Sequence, residues 1–158
     1  MYSFYIQKTN ENGVAIGSAT DLEDSFPGLH YCSCKGLEAV GKAKNIYTES
    51  YPESSGLRVY HPSDRAQEVV NEATDIELEL LFTGEDRRQT LSSFRAAIEN
   101  GRLFYWDTAR NKKVWLVLTD ATDPKEDNIK GGKYILITFK FKNLWGKSKA
   151  CDKNGNIL

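Results

Sequence analysis

The chain has 158 residues, of which 40% are hydrophobic and 27% charged, and its net charge is −1. That suits one globular domain with a sizeable core and argues against disorder. The near-neutral balance removes any general electrostatic drive toward nucleic acid or an anionic membrane. No apolar run approaches the length that spans a bilayer, about 20 residues, and the start of the chain lacks the basic and long apolar parts of a signal peptide. The product is therefore expected to be soluble where it is made. Three cysteines without framework spacing fit a reducing cytosol better than secretion.

Tyr2, Phe4 and Ile6 alternate with Ser3, Tyr5 and Gln7, which predicts a first strand. Asn10-Glu11-Asn12-Gly13 is a turn, and 14–16 returns as a short hairpin arm. The acids Asp21, Glu23 and Asp24 read as a solvated face rather than a site. Pro27-Gly28 marks another turn, and 29–35 is extended. The segment 36–51 has few apolar residues for its length. It reads as a long loop or exposed arm with little core of its own, carrying a short strand at about 45–48. Leu57 and Val59 begin another strand. Residues 62–71 are polar, with room for a helical turn around 66–70.

The stretch 74–120 organises the rest. Ile76, Leu78, Leu80 and Phe82 alternate with Glu77, Glu79 and Leu81, the pattern of a half-buried strand. Glu85 and Asp86 supply acids where a helix N-terminus favours them. Leu91, Phe94 and Ile98 then share one helical face, and Gly101 after Asn100 is a left-handed stop. Residues 103–108 and 114–119 are strand-like, with Asp107, Asn111 and Lys112 as turn chemistry. Residues 121–132 form the long tip of a hairpin. In 134–142, Ile135, Ile137, Phe139 and Phe141 fall on one face, as in an antiparallel sheet with one wet side. The tail 147–158 is polar and expected to fray.

His30, Cys32 and Cys34 are the one cluster suited to a metal, because an extended segment would project all three from one face. Tetrahedral zinc wants a fourth ligand, which Cys151 or His61 would have to bring from far away, and the Cys-x-x-Cys knuckle is absent. The plainer reading makes both cysteines small apolar residues. Glu77, Glu79, Glu85, Asp86 and Asp107 are carboxylates of unknown separation. No Gly-x-Ser-x-Gly elbow or phosphate-cradling loop is present. Tyr105, Trp106 and Trp115, with Arg102, Arg110, Lys112 and Lys113 near them, form a pattern that stacks on single-stranded nucleic acid in basic proteins. Here the aromatics occupy strand positions that a core wants, and the chain is not basic. Trp145 reads as a packing anchor.

The run Phe82-Thr83-Gly84-Glu85-Asp86-Arg87-Arg88-Gln89-Thr90 continues through Phe94, Ile98, Asn100-Gly101, Tyr105-Trp106-Asp107-Thr108 and Arg110. It resembles structural tail proteins of tailed phages and prophages, in the superfamily of tail-tube and distal-tail subunits. In order of elements the resemblance covers roughly 57–146. It implies a structural, non-enzymatic subunit of a virion tail, made in the bacterial cytoplasm and assembled with other tail proteins. It further implies a ring of identical copies, six by the family's habit, with no cofactor, no specific nucleic acid and no membrane span. Fold analogy alone does not establish function. The other readings are a small carbohydrate- or protein-binding module and, last, a small hydrolase.

The expected fold is mainly β. It is an antiparallel sandwich or partly closed barrel in 1–146, with one principal helix at 88–100 and an arm at 36–51. No catalytic or cofactor residue is assigned, and no metal beyond the weak His30, Cys32 and Cys34 set. In a ring the arm would reach a neighbour, with Ile46, Tyr47 and Tyr51 as interface residues.

Overall fold

The computed structural model of the chain describes residues 4–50, 57–127 and 133–158. In chain order the elements are β1 (Phe4–Thr9), β2 (Thr20–Asp21), α1 (Leu22–Ser25), β3 (Leu29–Lys35), β4 (Tyr47–Ser50) and β5 (Leu57–Tyr60). After a 3₁₀ turn at Pro62–Arg65 come β6 (Thr74–Thr83), α2 (Arg87–Glu99), β7 (Arg102–Asp107), β8 (Lys112–Ala121), β9 (Lys125–Asp127), β10 (Tyr134–Asn143) and β11 (Lys149–Ala150).

Nine strands form one antiparallel sheet along the path β2-β1-β7-β8-β10-β6-β3, with β11 added to β8 and β9 to β10. The path has two ends, so the sheet is not closed into a barrel. It is nevertheless curled. Phe4 of β1 stacks on Tyr31 of β3 with centroids 4.1 Å apart, although four strands separate β1 from β3 along the path. The twist of neighbouring strands accumulates across a sheet this wide and brings the inner faces of its two halves together. This is the mainly β, sandwich-like fold with one main helix that the sequence predicts.

The inner faces follow from the alternation. On β6, Ile76, Leu78, Leu80 and Phe82 are all buried, and on β10 so are Ile135, Ile137, Phe139 and Phe141. The two strands pair over their full length, from Tyr134 opposite Thr83 to Asn143 opposite Thr74. A slip of one residue would turn one strand's set outward, so the register is specified by burial.

Helix α2 covers this face through Leu91, Phe94 and Ile98. Phe94 is fully buried, edge-on to Phe26 and Phe139 at 5.3 Å and tilted against Phe82 at 6.0 Å. Glycine at 101 takes φ +100 and turns the chain directly into β7. The acids before the helix act differently from expectation. Asp86 is the N-cap residue, yet its side chain makes no capping hydrogen bond.

Several loops are more ordered than their composition implies. Asp21 caps α1 by accepting from the backbone N–H groups of Glu23 and Asp24, and the apolar residue between those acids, Leu22, is fully buried. The expected turn at 66–70 is displaced to Pro62–Arg65. His61 caps it, and Ala66 closes it in the left-handed region at φ 55. The tail is not frayed: β11 pairs with Lys112 and Lys113, Cys151 is buried, and Cys151 bridges Ile157 across a turn. Part of the expected 121–132 tip is ordered as β9, which pairs with the start of β10.

Truncating Phe94 removes the ring that joins helix to sheet. Phe94→Ala is expected to lower the unfolding free energy in urea by about 3–5 kcal/mol. Ser93→Ala, on the exposed side of α2, should change it by less than about 0.5 kcal/mol. Equal effects would mean that the helix carries no core.

Candidate assembly surfaces

The arm divides into a fixed root and a projecting hairpin. Leu37 is buried, so the segment is anchored from its start. The root, 41–46, runs beside 68–72: the Lys44 N–H donates to the Val70 carbonyl at 2.8 Å, the Glu72 N–H to Lys42 at 2.8 Å and the Gly41 N–H to Gly146 at 2.7 Å. Asn45 spans the gap twice, donating from Nδ2 to the Glu68 carbonyl and accepting the Val70 N–H on Oδ1. A Cβ at Gly41 or Gly146 would run into the same Glu72 carbonyl oxygen, so the contact requires glycine on both sides.

Beyond the root, β4 and β5 form a separate two-stranded sheet, with Tyr47 opposite Tyr60. An isolated hairpin is marginal in water and gains from a further partner. Of the predicted interface residues, Ile46 is half-buried at the root and Tyr47 opens β4. Tyr51 lies outside the described residues. The strand expected at 45–48 is β4, two residues later, because Asn45 is engaged in the root. Two further edges belong to the main sheet, at β2 and β3. The β2 edge is only two residues long, whereas β3 has seven.

On β3 the register shifts between Tyr31 and Ser33. This bulge breaks the alternation that would have put His30, Cys32 and Cys34 on one face. Cys32 is exposed, whereas Cys34 is half-buried and packed against the core. Burial pushes the Cys34 thiol up to about 11; Arg110 opposes the shift and Asp107 adds to it. His30 lies 3.2 Å from the Thr83 hydroxyl through Nε2. Among the described residues no three His, Cys, Asp or Glu side chains are grouped to hold a metal ion.

The carboxylates are dispersed. Glu77 and Glu79 alternate with the buried side chains of β6 and stand on its outer face. Glu85 and Asp86 are exposed ahead of α2. Asp107 is buried, and it accepts the N–H groups of Ala109 and Arg110 in the β7–β8 turn. That is turn chemistry, not acid–base chemistry. The aromatics serve packing: Tyr105 is buried, Trp106 stacks on Tyr5, and Trp115 donates to the Thr9 hydroxyl at 2.9 Å.

Two features escaped sequence reasoning. The first is a clamp. Arg87 donates to Glu126 Oε1 at 2.8 Å, and Arg88 grips both oxygens of the same carboxylate at 2.9 Å. Cations are disfavoured in the first turn of a helix, so the Arg pair at the start of α2 was the available signal for an acidic partner. The clamp ties β9 to α2.

The second is the distribution of exposed apolar side chains: Val14, Ile16, Val40, Val70, Ile157 and Leu158. Val14 and Ile16 sit on the hairpin after β1, where the Ile16 N–H returns to the Lys8 carbonyl at 2.7 Å. Val70, Ile157 and Leu158 line an open groove of about 870 Å³ with Trp145. Val40 is next to Gly41 at the root, whose N–H bonds Gly146 just before the groove residue Lys147. Among the described residues no helix is long and apolar enough to cross a membrane.

A curled, open antiparallel sheet with one long helix laid against its inner face is an architecture found in structural proteins of phage tails. The Dit protein of phage SPP1, described as a hub of the adsorption apparatus in phages infecting Gram-positive bacteria, superposes with a TM-score of 0.55 at 12% identity, over 95% of this chain and 52% of that one. A chain of the phage p2 baseplate, in its activated conformation with strontium, gives 0.57 at 13% identity over 91% of this chain and 44% of that one. The same baseplate with calcium gives 0.51 at 13% identity, with equal coverage. The chain thus spans about half the length of these proteins. At such identities the likeness is one of fold. No protein-family profile and no curated protein matches the sequence.

Two outcomes test this geometry. Ellman's reagent at mildly alkaline pH should titrate Cys32 quickly and leave Cys34 and Cys151 until denaturant is added, since buried thiols with raised pKa are poor nucleophiles. Cys32→Ser should abolish the fast phase. Rapid reaction of all three would contradict the burial of β3 and the tail. The clamp is tested by pH. Hydrogen bonds from Arg88 and then Arg87 hold Glu126 below the usual carboxylate range. Its contribution is therefore complete above the unfolded carboxylate's pKa and lost as pH falls through the lowered folded value. Glu126→Gln should flatten that part of the stability–pH curve and speed amide exchange in β9; a superimposable curve would mean the pairing adds nothing.

Proposed function

We propose that this chain is a structural subunit of a phage or prophage tail, of the distal-tail or tube type, which assembles into a ring of its own copies. The observation that carries the reading is the fold likeness to a hub and a baseplate subunit over nearly the whole chain. Because one of those proteins is described as a hub of an adsorption apparatus and the other as part of a baseplate, the distal end of the tail is favoured over the tube. The role is mechanical rather than catalytic: the dispersed carboxylates and the turn-bound Asp107 suit packing and capping. The partners are further copies, six in a closed ring, and neighbouring tail proteins. The site of action is the virion tail, after synthesis in the host cytoplasm.

Assembly on this reading works through the hairpin of β4 and β5. Its root is held within the chain, while among the described strands the hairpin has no third. A neighbouring subunit supplies surface for Ile46, Tyr47 and Tyr51 and backbone partners for the strands, and the exposed edge of β3 is a natural receiver. Repeating one head-to-tail contact around an axis closes the ring.

The test is negative-stain microscopy and sedimentation of the full chain, alone and with the products of the flanking tail genes. A second variant has 47–60 replaced by a short Gly-Ser link. The full chain should form rings with a discrete mass, and the shortened chain should remain a folded monomer. Hydrogen exchange should show 41–46 protected in the monomer and 47–60 protected only in the ring. A full chain that stays single in the presence of its own tail proteins would defeat the proposal.

A further inference from the structure

We infer that the hairpin carrying Val14 and Ile16 on one copy seats in the groove lined by Val70, Trp145 and Ile157 on a second copy, in a contact separate from the β4–β5 arm. The inference rests on the ring-forming reading above and names a docking surface for it. The first support is pairing by kind. The six large apolar side chains left exposed among the described residues fall into two sets, one on the 10–16 hairpin, where Ile16 also borders a recess with Phe26 and Leu103, and the other in or beside a groove of about 870 Å³. Contiguous exposed apolar surface marks interaction sites, and a patch that fits a different patch on a second copy can repeat head to tail around the proposed ring.

Charge is the second support. The hairpin itself carries Glu11, which is exposed. The groove presents Lys147 and Lys149, with Glu68 as its one acidic side chain. Lys149 holds its ammonium 4.4 Å above the Trp145 ring, so the basic charge stands directly over the apolar floor. The exposed Glu11 carboxylate on the apolar hairpin thus complements the ammonium groups over the apolar recess.

Preorganisation is the third. Asn10 Oδ1 accepts the N–H groups of Asn12 and Val14, Gln7 Nε2 donates to the Gly17 carbonyl at 2.7 Å, and Gly13, at φ +76, lies over the Trp115 ring. A hairpin tied at three places loses little freedom on docking. None of its residues lines the groove of its own chain.

The experiment is sedimentation velocity of the full chain across a concentration series. Glu11→Lys and Lys147→Glu should each weaken self-association about tenfold, since each turns an attraction into a repulsion. Val14→Asp should weaken it at least as much, with unfolding midpoints unchanged for all three. Combining Glu11→Lys with Lys147→Glu should restore association toward the unmodified level. Rings that form at full strength in every single variant, or a combined variant no better than the singles, would overturn this contact while leaving the ring reading intact. A chain that remains a monomer at every concentration, with and without its tail partners, would overturn both.

Discussion

The structure depends on covering the inner face of an open sheet. A barrel removes both of its edges by closing, but here the path ends at β2 and β3, so the apolar faces of β6 and β10 need cover from outside the strand order. Two contacts supply it. Phe4 meets Tyr31 where the halves of the sheet curl together, and Phe94 of α2 wedges among Phe26, Phe82 and Phe139. Burying a side chain of that size contributes about 1.5–3 kcal/mol. A helix of 13 residues is marginal on its own, so sheet and helix each require the other.

With its core closed by α2, the chain is free to use its edges and loops for other ends. The root at 41–46 consumes backbone hydrogen bonds within the chain, whereas β4 and β5 pair only with each other among the described strands. Ordering a residue costs about 1–2 kcal/mol in backbone entropy, and that cost is met at the root and left open at the hairpin. The clamp on Glu126 divides the β8–β10 connection in the same way, fixing β9 against α2.

What was legible in the sequence was what periodicity encodes. The alternation on β6 and β10 and the helical face of Leu91, Phe94 and Ile98 each repeat over several residues, so the elements and their buried sides could be read directly. The resemblance carried by 82–110 pointed to the same fold class as the structural comparison. Less legible was order that comes from a few side chain–backbone bonds. Asn45 locks the root through two such bonds, and Asp21 turns an apparently solvated acidic cluster into a helix cap over the buried Leu22. The shared face expected for His30, Cys32 and Cys34 is lost for a related reason: a single-residue bulge at Cys32 is invisible to a pattern that assumes unbroken alternation. The tail was misread because β11 has only two residues, too few to carry a period.

The joint at Glu72 has a mechanical meaning. Its carbonyl is pinched between Gly41 and Gly146. Two residues beyond Glu72 the chain enters β6, and Gly146 follows three residues after the end of β10. A pull on the arm would therefore be delivered, through the root, into the two strands that share the longest ladder in the sheet. Thr74 and Asn143 face each other at one end of that ladder, so a pull that carries the joint as one body loads both strands from the same end together. The Glu72 carbonyl, held between the two glycines, is thus the point at which such a force is shared between β6 and β10.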